Sequence, residues 1–377
     1  MAGNVACHPM FEGKAQSMKV DSTPTPFRRR WMKRFAKTAL VLLIVWLIGD
    51  FTYSRWVAWS CAAWEAEMEW SANGVMAGCD AYSLGGGPSA VLFIHGLNEN
   101  PYTWRKMAPM FAESGFHCRV MRLPGFGERT REYGAFSVAD WKSAVEKEIS
   151  DLRSSHRRVY VVAHSLGAAV LINLLLENPG LADGAVLLAP AIEVSNRRSP
   201  VGSVRFWHRL SHGLFFTRVV SSPFDNNAQD PEERAPIKRN VFTPRRVIGN
   251  LFCLVDANRG RAKELRLPLL IAVGSDDRIV EATAAEAFFQ ELSSEQKRWV
   301  VNDRAGHVLP FDFGWAELAR DCIEFLQSID SERDREHEGK SPGNLNSRSG
   351  RPAGLWICNR SRNVGCMEQV DRQDTLA

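Results

Sequence analysis

The chain lacks the cysteine patterns that define disulfide scaffolds and zinc sites. Its eight cysteines are scattered over 377 residues, without the density of a small disulfide-stabilised protein and without the paired spacing of a zinc site. Cys118, Cys253 and Cys322 lie within apolar runs, which favours buried free thiols. Cys61 and Cys79 could form a disulfide if their region is exported, because disulfides persist in oxidising compartments.

A strong charge of either sign is also missing. The formal net charge is +4, and charged residues make up 24% of the chain, which is ordinary for a globular protein. Much of the basic excess lies near the N-terminus, around residues 28–34. No basic stripe interleaved with aromatic residues is present, so the sequence indicates no nucleic-acid partner. The length allows one large domain with additional segments, or two domains.

The longest apolar run is shorter than a typical membrane span. Residues 38–49, "TALVLLIVWLIG", are almost wholly apolar, whereas a transmembrane helix usually needs about 20 residues. Flanking residues extend the run, and we predict an uncleaved transmembrane signal-anchor over 38–53. The preceding cations place a basic segment, 1–37, in the cytoplasm and the rest of the chain on the extracytoplasmic side. A cleaved signal peptide and a buried core helix are the alternatives.

Two further segments flank the central part of the chain. Residues 54–79 contain the Trp-rich stretch "RWVAWSCAAWEAEMEW", which predicts a juxtamembrane amphipathic helix near a bilayer surface. The same segment could equally pack on the domain that follows. Residues 331–377 are polar and rich in charge, Gly and Ser, so we expect this C-terminal tail to be disordered.

The central region, 80–330, alternates between strand and helix patterns. Near-continuous runs of Val, Ile and Leu are typical of strands buried on both faces of a parallel sheet. The predicted strands are Ala90–His95, His117–Leu123, Arg158–His164, Gly184–Ala189, Leu267–Val273 and Arg298–Val301. The predicted helices are Trp104–Ser114, Val138–Arg153, Ala168–Glu177, Ala282–Leu292 and Trp315–Ile329. This order predicts an α/β fold with a mostly parallel central sheet flanked by helices.

One interval interrupts the alternation. Residues 193–266 separate two predicted strands by much more than a normal connection, and a long structureless loop inside a compact domain is uncommon. The segment carries aromatic and basic clusters such as "VRFWHRLSHGLFF". We therefore predict an inserted, mostly helical lid.

Polar residues follow the predicted strands at their carboxyl ends, where α/β sheets gather functional groups. The first strand ends in His95-Gly96-Leu97-Asn98, and a later strand runs into "AHSLG" with Ser165. Further along, "AVGSDDRIV" supplies Asp276 and Asp277, and "DRAGHVLP" supplies His307. The order along the chain is a serine, an acid and a histidine.

This order, together with "HGLNEN" and "LPGFGERT", resembles the α/β-hydrolase superfamily. Within it, the chain is similar to the serine hydrolases of the monoacylglycerol lipase, lysophospholipase and carboxylesterase group. The resemblance covers about residues 85–330. It implies an α/β-hydrolase fold with a lid and a serine nucleophile.

The resemblance also implies a catalytic role for each matching residue. Ser165 takes the nucleophile position, Asp277 the acid position and His307 the general-base position. Asp276 is the alternative acid. An N-cap serine without catalysis is the alternative for Ser165, and its motif departs from G-x-S-x-G because Ala163 stands at the first glycine.

The remaining site residues follow from the same resemblance. The backbone N–H groups of Leu97 and Leu166 are expected to form the oxyanion hole. His95, His164 and Gly167 are expected to support the site, Gly167 by letting the helix pass close to the strand.

The sequence therefore predicts a membrane-anchored serine hydrolase that cleaves carboxylic esters through an acyl-enzyme and needs no metal or organic cofactor. The anchor and the lid composition favour acyl lipids, namely monoacylglycerols or lysophospholipids, as substrates. A soluble-ester carboxylesterase, a thioesterase or a serine peptidase is possible on the same fold. A non-catalytic binding protein of the same fold is the alternative from another class.

Overall fold

The computed structural model describes residues 26–199, 201–221, 227–234 and 238–339. The chain divides into two compact units, Met1–Thr52 and Tyr53–Ala377. The first helix, α1, spans Pro26–Glu67. Its part Arg30–Glu67 has a window of mean hydropathy 1.8 and is long and apolar enough to cross a membrane. A signal sequence would meet the same criteria, so the membrane topology stays a prediction.

The second unit is built on a seven-stranded sheet with the strand order β1-β3-β2-β4-β5-β8-β9. All neighbouring strands in it are parallel except β1, which is antiparallel to β3. A separate antiparallel pair consists of β6 and β7. In the described residues the strands are β1 Tyr82–Leu84, β2 Ser89–Ile94, β3 His117–Val120, β4 Arg158–His164, β5 Gly184–Leu188, β6 Val219–Ser221, β7 Phe242–Pro244, β8 Leu269–Gly274 and β9 Lys297–Asn302.

Helices cover both faces of this sheet, as continuous crossover connections between parallel strands require. After α1, the described helices are α2 Met107–Glu113, α3 Thr130–Tyr133, α4 Val138–Arg153, α5 Leu166–Glu177, α6 Val204–Leu214, α7 Pro231–Arg234, α8 Arg245–Asn258, α9 Ala282–Glu291 and α10 Trp315–Gly339. Short 3₁₀ helices lie at Pro101–Trp104 and Ala262–Glu264. The predicted α/β fold with a mostly parallel sheet is confirmed.

The central strands of the sheet bring the predicted site residues to one edge. Every residue of β2, β4, β5 and β8 is buried, which explains their continuous apolar sequences. In the register, Ile94 pairs with Ala163 and His164 pairs with Leu188. The carboxyl ends of β2, β4 and β5 therefore meet at one edge, and the loops that follow them lie side by side.

The insertion, defined as residues 193–266, lies between β5 and β8. It contains α6, α7 and α8 together with the β6–β7 pair, so it is not purely helical. Helix α8 packs against α5, and Asn258 donates a hydrogen bond from Nδ2 to the carbonyl oxygen of Ala169 at 2.8 Å. Cys253 is exposed on α8, so its expected burial is wrong: the buried face of that helix carries Val247, Leu251, Leu254 and Val255.

The segment before the sheet packs on the domain. Val75, Met76 and Cys79 form a buried cluster with Trp64 and Trp70 packed against it, so the packing alternative describes this part of 54–79. Cys61 and Cys79 are both free thiols.

The last helix continues beyond the predicted domain end. Helix α10 reaches Gly339, so the start of the segment expected to be disordered is helical. Ion pairs explain the extension: Arg158 bonds to Asp334, and Arg333 bonds to Asp183, both at 2.5 Å. Residues 340–377 lie outside the described residues.

Candidate active site

Three side chains that are distant in sequence meet at the carboxyl edge of the sheet. Ser165 follows β4, Asp277 follows β8 and His307 follows β9. The imidazole of His307 lies 2.9 Å from Ser165 Oγ through Nε2 and 2.8 Å from Asp277 Oδ2 through Nδ1. This hydroxyl–imidazole–carboxylate chain has the geometry that activates a serine hydroxyl as a nucleophile.

The turn that carries Ser165 is strained. Its φ of 50° and ψ of −113° lie outside the regions that non-glycine residues favour. At Gly167, a Cβ atom would lie 2.5 Å from the carbonyl oxygen of His95 and 2.8 Å from Ile94 Cγ2. Glycine is therefore required where α5 crosses β2. Ala163, which replaces the usual first glycine of the motif, lies inside β4 and is fully buried.

Asp277 is built to remain ionised. Burial by itself would raise the pKa of this carboxyl, but the charge of His307 and its hydrogen bond lower it below its ordinary value. The backbone N–H groups of Ile279 and Val280 also donate to Oδ1, at 2.8 and 3.0 Å. The neighbouring Asp276 instead pairs with Arg278 at 3.0 Å. The geometry thus pairs His307 with Asp277, while Asp276 pairs with Arg278.

Leu97 and Leu166 carry the two backbone amides that are expected to form the oxyanion hole. Leu166 is the first residue of α5, and Leu97 follows Gly96 in the loop after β2. Within the described part of the chain, neither N–H donates a hydrogen bond in the backbone network. Free N–H groups at a helix start and in an adjacent loop can bind a developing oxyanion.

His95 supports the loop of Leu97. Its Nε2 accepts a hydrogen bond from the N–H of Leu123 at 3.1 Å, which places the ring proton on Nδ1, 3.1 Å from the carbonyl oxygen of Gly96. Burial lowers the pKa of His95 to about 4. The ring is therefore neutral and acts as a fixed link between β2 and the loop after β3.

His164 lies between two acceptors. Its Nδ1 is 2.9 Å from Glu99 Oε2, and its Nε2 is 2.9 Å from the carbonyl oxygen of His307. Glu99 Oε2 also accepts the N–H of Gly96 at 2.8 Å. Burial opposes the charged ring, but Glu99 raises the pKa of His164 above its ordinary value. Sequence reasoning assigned no role to Glu99, although "HGLNEN" contains it, because only folding brings it to His164.

A cavity of about 330 Å³ opens at Ser165. Leu97 and His307 contribute to its wall on the sheet side. The insertion supplies an apolar wall from Val204, Val220, Ile248, Leu251 and Phe252. No group of His, Cys, Asp and Glu that could hold a metal ion is found among the described residues.

A family comparison matches this arrangement. The sequence profile of the family described as serine aminopeptidase, S33, matches residues 88–313. The chain belongs to this family. It is an α/β-hydrolase of the serine hydrolase group, in agreement with the resemblance seen in the sequence.

Individual relatives point to the same group. The chain is 24% identical over 254 residues to a thermostable monoacylglycerol lipase from Bacillus sp. (strain H-257), covering 67% of this chain and 96% of the relative. It is 21% identical to a carboxylesterase from Bacillus subtilis, covering 66% and 96%. It is 22% identical to the monoglyceride lipase of Homo sapiens, covering 63% and 82%.

Solved structures share the fold. The LipS and LipT lipolytic enzyme structure aligns with a TM-score of 0.61 at 18% identity, covering 67% of this chain and 99% of that chain. A soluble variant of monoglyceride lipase from Saccharomyces cerevisiae aligns with a TM-score of 0.59 at 17% identity, covering 66% and 90%.

Proposed function

We propose that this protein hydrolyses carboxylic esters through an acyl-enzyme on Ser165, with His307 as general base and Asp277 as its orienting acid. The enzyme is a carboxylic ester hydrolase of the lipase and esterase type, as its family and its relatives' names indicate. The observation that carries the residue assignment is the continuous hydrogen-bond chain from Ser165 through His307 to Asp277.

The first half of the reaction forms the acyl-enzyme. Ser165 Oγ attacks the ester carbonyl carbon while His307 Nε2 accepts the hydroxyl proton. The N–H groups of Leu97 and Leu166 donate to the oxyanion of the tetrahedral intermediate. The bond to the alcohol oxygen then breaks, and His307 gives its proton to that oxygen, which leaves as the alcohol.

The second half returns the free enzyme. A water molecule gives a proton to His307 Nε2 and attacks the acyl carbon, forming a second tetrahedral intermediate. Its collapse breaks the bond to Ser165 Oγ, which takes the proton back from His307, and the carboxylic acid leaves. Ionised Asp277 stabilises the imidazolium form of His307 in both halves.

Acyl lipids are the substrate class that the site favours. The insertion contributes an apolar group of side chains to the cavity wall, Val204, Val220, Ile248, Leu251 and Phe252, which suits an acyl chain. The insertion also exposes large apolar side chains: Val201 is 69% exposed, Phe206 51% and Phe216 58%. Clustered exposed apolar residues mark interaction surfaces. We infer that the insertion acts as a lid facing lipid, with a monoacylglycerol or a lysophospholipid as substrate.

The cavity argues against an aminopeptidase, although the family description carries that name. A free amino terminus needs an acceptor or an anionic partner in the site. Among the described residues that line the cavity, Glu99 is the one carboxylate, and His164 and the N–H of Gly96 already occupy its Oε2.

The location of the enzyme follows from the first helix. We infer that 38–53 anchors the chain in a membrane, with the basic segment 1–37 in the cytoplasm and the catalytic domain on the extracytoplasmic side. The support is the length and composition of the helix and the cations that precede its apolar part.

Two measurements test the proposed function. A fluorophosphonate probe should label the wild type and should not label Ser165→Ala. Hydrolysis should then be compared across short p-nitrophenyl esters, monoacylglycerols, lysophospholipids and aminoacyl amides. Undiminished labelling of Ser165→Ala would disprove the nucleophile, whereas a clear preference for short esters or amides would disprove the lipid assignment.

A further inference from the structure

The loop that presents the Leu97 amide is held through the next residue, Asn98. Asn98 has a φ of 62°, in the left-handed region that asparagine adopts more readily than other non-glycine residues. The hydroxyl of Tyr133 donates to Asn98 Oδ1 at 2.9 Å and accepts the Asn98 N–H at 3.2 Å. Thr243 Oγ1 donates to the same Oδ1 at 2.9 Å. Tyr133 on α3 and Thr243 on β7 therefore fix this loop.

Residues 61–79, which we name the positioning segment, contact α3 directly. Glu65 Oε1 accepts the N–H of Thr130 at 2.7 Å, and Cys61 Sγ lies 3.1 Å from Thr130 Oγ1. Thr130 begins α3 and Tyr133 ends it. A single helical turn thus connects Glu65 to the hydroxyl that holds Asn98.

The same segment contacts the other supports of the loop. The rings of Trp64 and Phe242 are 5.9 Å apart, and Phe242 immediately precedes Thr243. Met76 N donates to the carbonyl oxygen of Gly127 at 2.8 Å. Gly127 N in turn donates to Asn240 Oδ1 at 3.0 Å, and Asn240 N donates to the carbonyl oxygen of Asn98 at 3.0 Å.

We propose that the positioning segment sets the geometry of the oxyanion hole by holding α3 and β7 against Asn98, with Glu65 as its main positioning residue. This rests on the proposed function, in which the Leu97 amide stabilises the oxyanion. The segment precedes the residues that the family profile matches, 88–313. Its contacts therefore come from outside the part of the chain that the family profile covers.

The effect is expected in kcat and not in KM. Residues 61–79 do not line the cavity at Ser165, so loss of the Glu65 side chain removes no direct contact with substrate. Without the Glu65 carboxylate, the N–H of Thr130 loses its acceptor, and α3 and Tyr133 are free to shift. Transition-state stabilisation depends on donors placed to within a fraction of an ångström.

Three variants of the full-length protein test the proposal. Glu65→Ala removes the acceptor, whereas Glu65→Gln keeps an oxygen that can accept the Thr130 N–H. Glu67→Ala is the matched control, because Glu67 is exposed on the same helix. Active sites are titrated with a fluorophosphonate so that kcat refers to folded enzyme. We expect Glu65→Ala to lower kcat about tenfold, since loss of a whole oxyanion donor costs about 10²–10³-fold. KM should not change, and Glu65→Gln should restore kcat.

A kcat for Glu65→Ala equal to that of Glu67→Ala, or no recovery in Glu65→Gln, would overturn the proposal. Hydrogen exchange separates this failure from failure of the proposed function. Glu65→Ala should speed amide exchange at Asn98 and Thr130 whatever the nucleophile is. Unchanged exchange at both residues would overturn the positioning role independently of the Ser165→Ala labelling result.

Discussion

His307 contacts Asp277 and not the adjacent Asp276. A pair of variants tests whether Asp277 is the catalytic carboxylate. Asp277→Asn keeps the shape of the side chain but removes the charge that stabilises the imidazolium. We expect kcat to fall about 10⁴-fold, as loss of a triad acid does elsewhere. Asp276→Asn breaks only an exposed pair with Arg278 and should leave kcat near the wild-type value. Steady-state kinetics on one ester decides it, and equal losses in both variants would contradict the assignment.

The buried pair of His164 and Glu99 predicts a pH dependence of stability. The pKa of His164 is raised in the folded protein because Glu99 outweighs burial. Folded His164 therefore keeps its proton at pH values above about 6.5, where the unfolded chain has lost it. Unfolding then releases a proton, so the stabilisation is complete below about pH 6.5 and decreases as pH rises through the folded-state pKa.

The measurement is urea unfolding in detergent at several pH values, for the wild type and for His164→Gln. The difference in the free energy of unfolding between the two should be constant at acidic pH and should shrink on the alkaline side. A difference that increases with pH would show that His164 is neutral in the folded protein.

At the scale of elements, the crossing of α5 over β2 depends on Gly167. A Cβ there would lie 2.5 Å from the carbonyl oxygen of His95, which follows β2, and 2.8 Å from Ile94 Cγ2. The helix would therefore have to move away. We expect Gly167→Ala to cost about 1–3 kcal/mol of stability, the usual cost of overpacking, and to lower activity because Ser165 moves with the helix. Thermal unfolding measures the first effect. Gly180→Ala is the control, since a Cβ there meets nothing within 4 Å.

The exposed face of the insertion predicts a dependence on the physical state of the substrate. Phe206 and Phe216 are exposed, so the double serine variant should fold normally but bind lipid surfaces less well. We expect activity on emulsified monoacylglycerol to fall at least about fivefold, since apolar area contributes about 25 cal/mol per Å². Activity on a short soluble ester should not change. Val301→Ser, at another exposed apolar position, is the control, and an equal loss on both substrates would contradict a lid that faces lipid.

Sequence patterns predict the long buried elements and fail for the short ones. Strand β4 has its predicted bounds because a continuous apolar run marks it. Helix α4 has its predicted bounds because its apolar residues recur at helical spacing. Strands β1, β6 and β7 have three residues each, too few to show a period. Ser165, Asp277 and His307 can be predicted from their positions after strands and from their order along the chain. The role of Glu99 follows only from its contact with His164 in the folded protein.

At the scale of the whole molecule, we propose two separable tasks for the N-terminal part of the chain. The compact unit Tyr53–Ala377 contains the sheet, the site and the positioning segment, and the unit boundary falls inside α1, at Thr52. The apolar part of the helix belongs to the proposed anchor, while its last residues contact α3. The proposed anchoring and the proposed support of the Leu97–Asn98 loop therefore involve different stretches of one helix.

Two deletions separate these tasks. Removal of 1–52 should release the protein from sedimented membranes, because the proposed anchor is lost, and should leave kcat on a short soluble ester unchanged, because residues 61–79 remain. Removal of 1–80 should also release the protein but should lower kcat per titrated active site, because the N–H of Thr130 and the ring of Phe242 lose their partners. Membrane sedimentation and active-site titration measure the two effects in the same preparations. A 1–52 deletion that still sediments would disprove the anchor, and identical kcat values for the two deletions would show that the contacts of 61–79 have no catalytic effect.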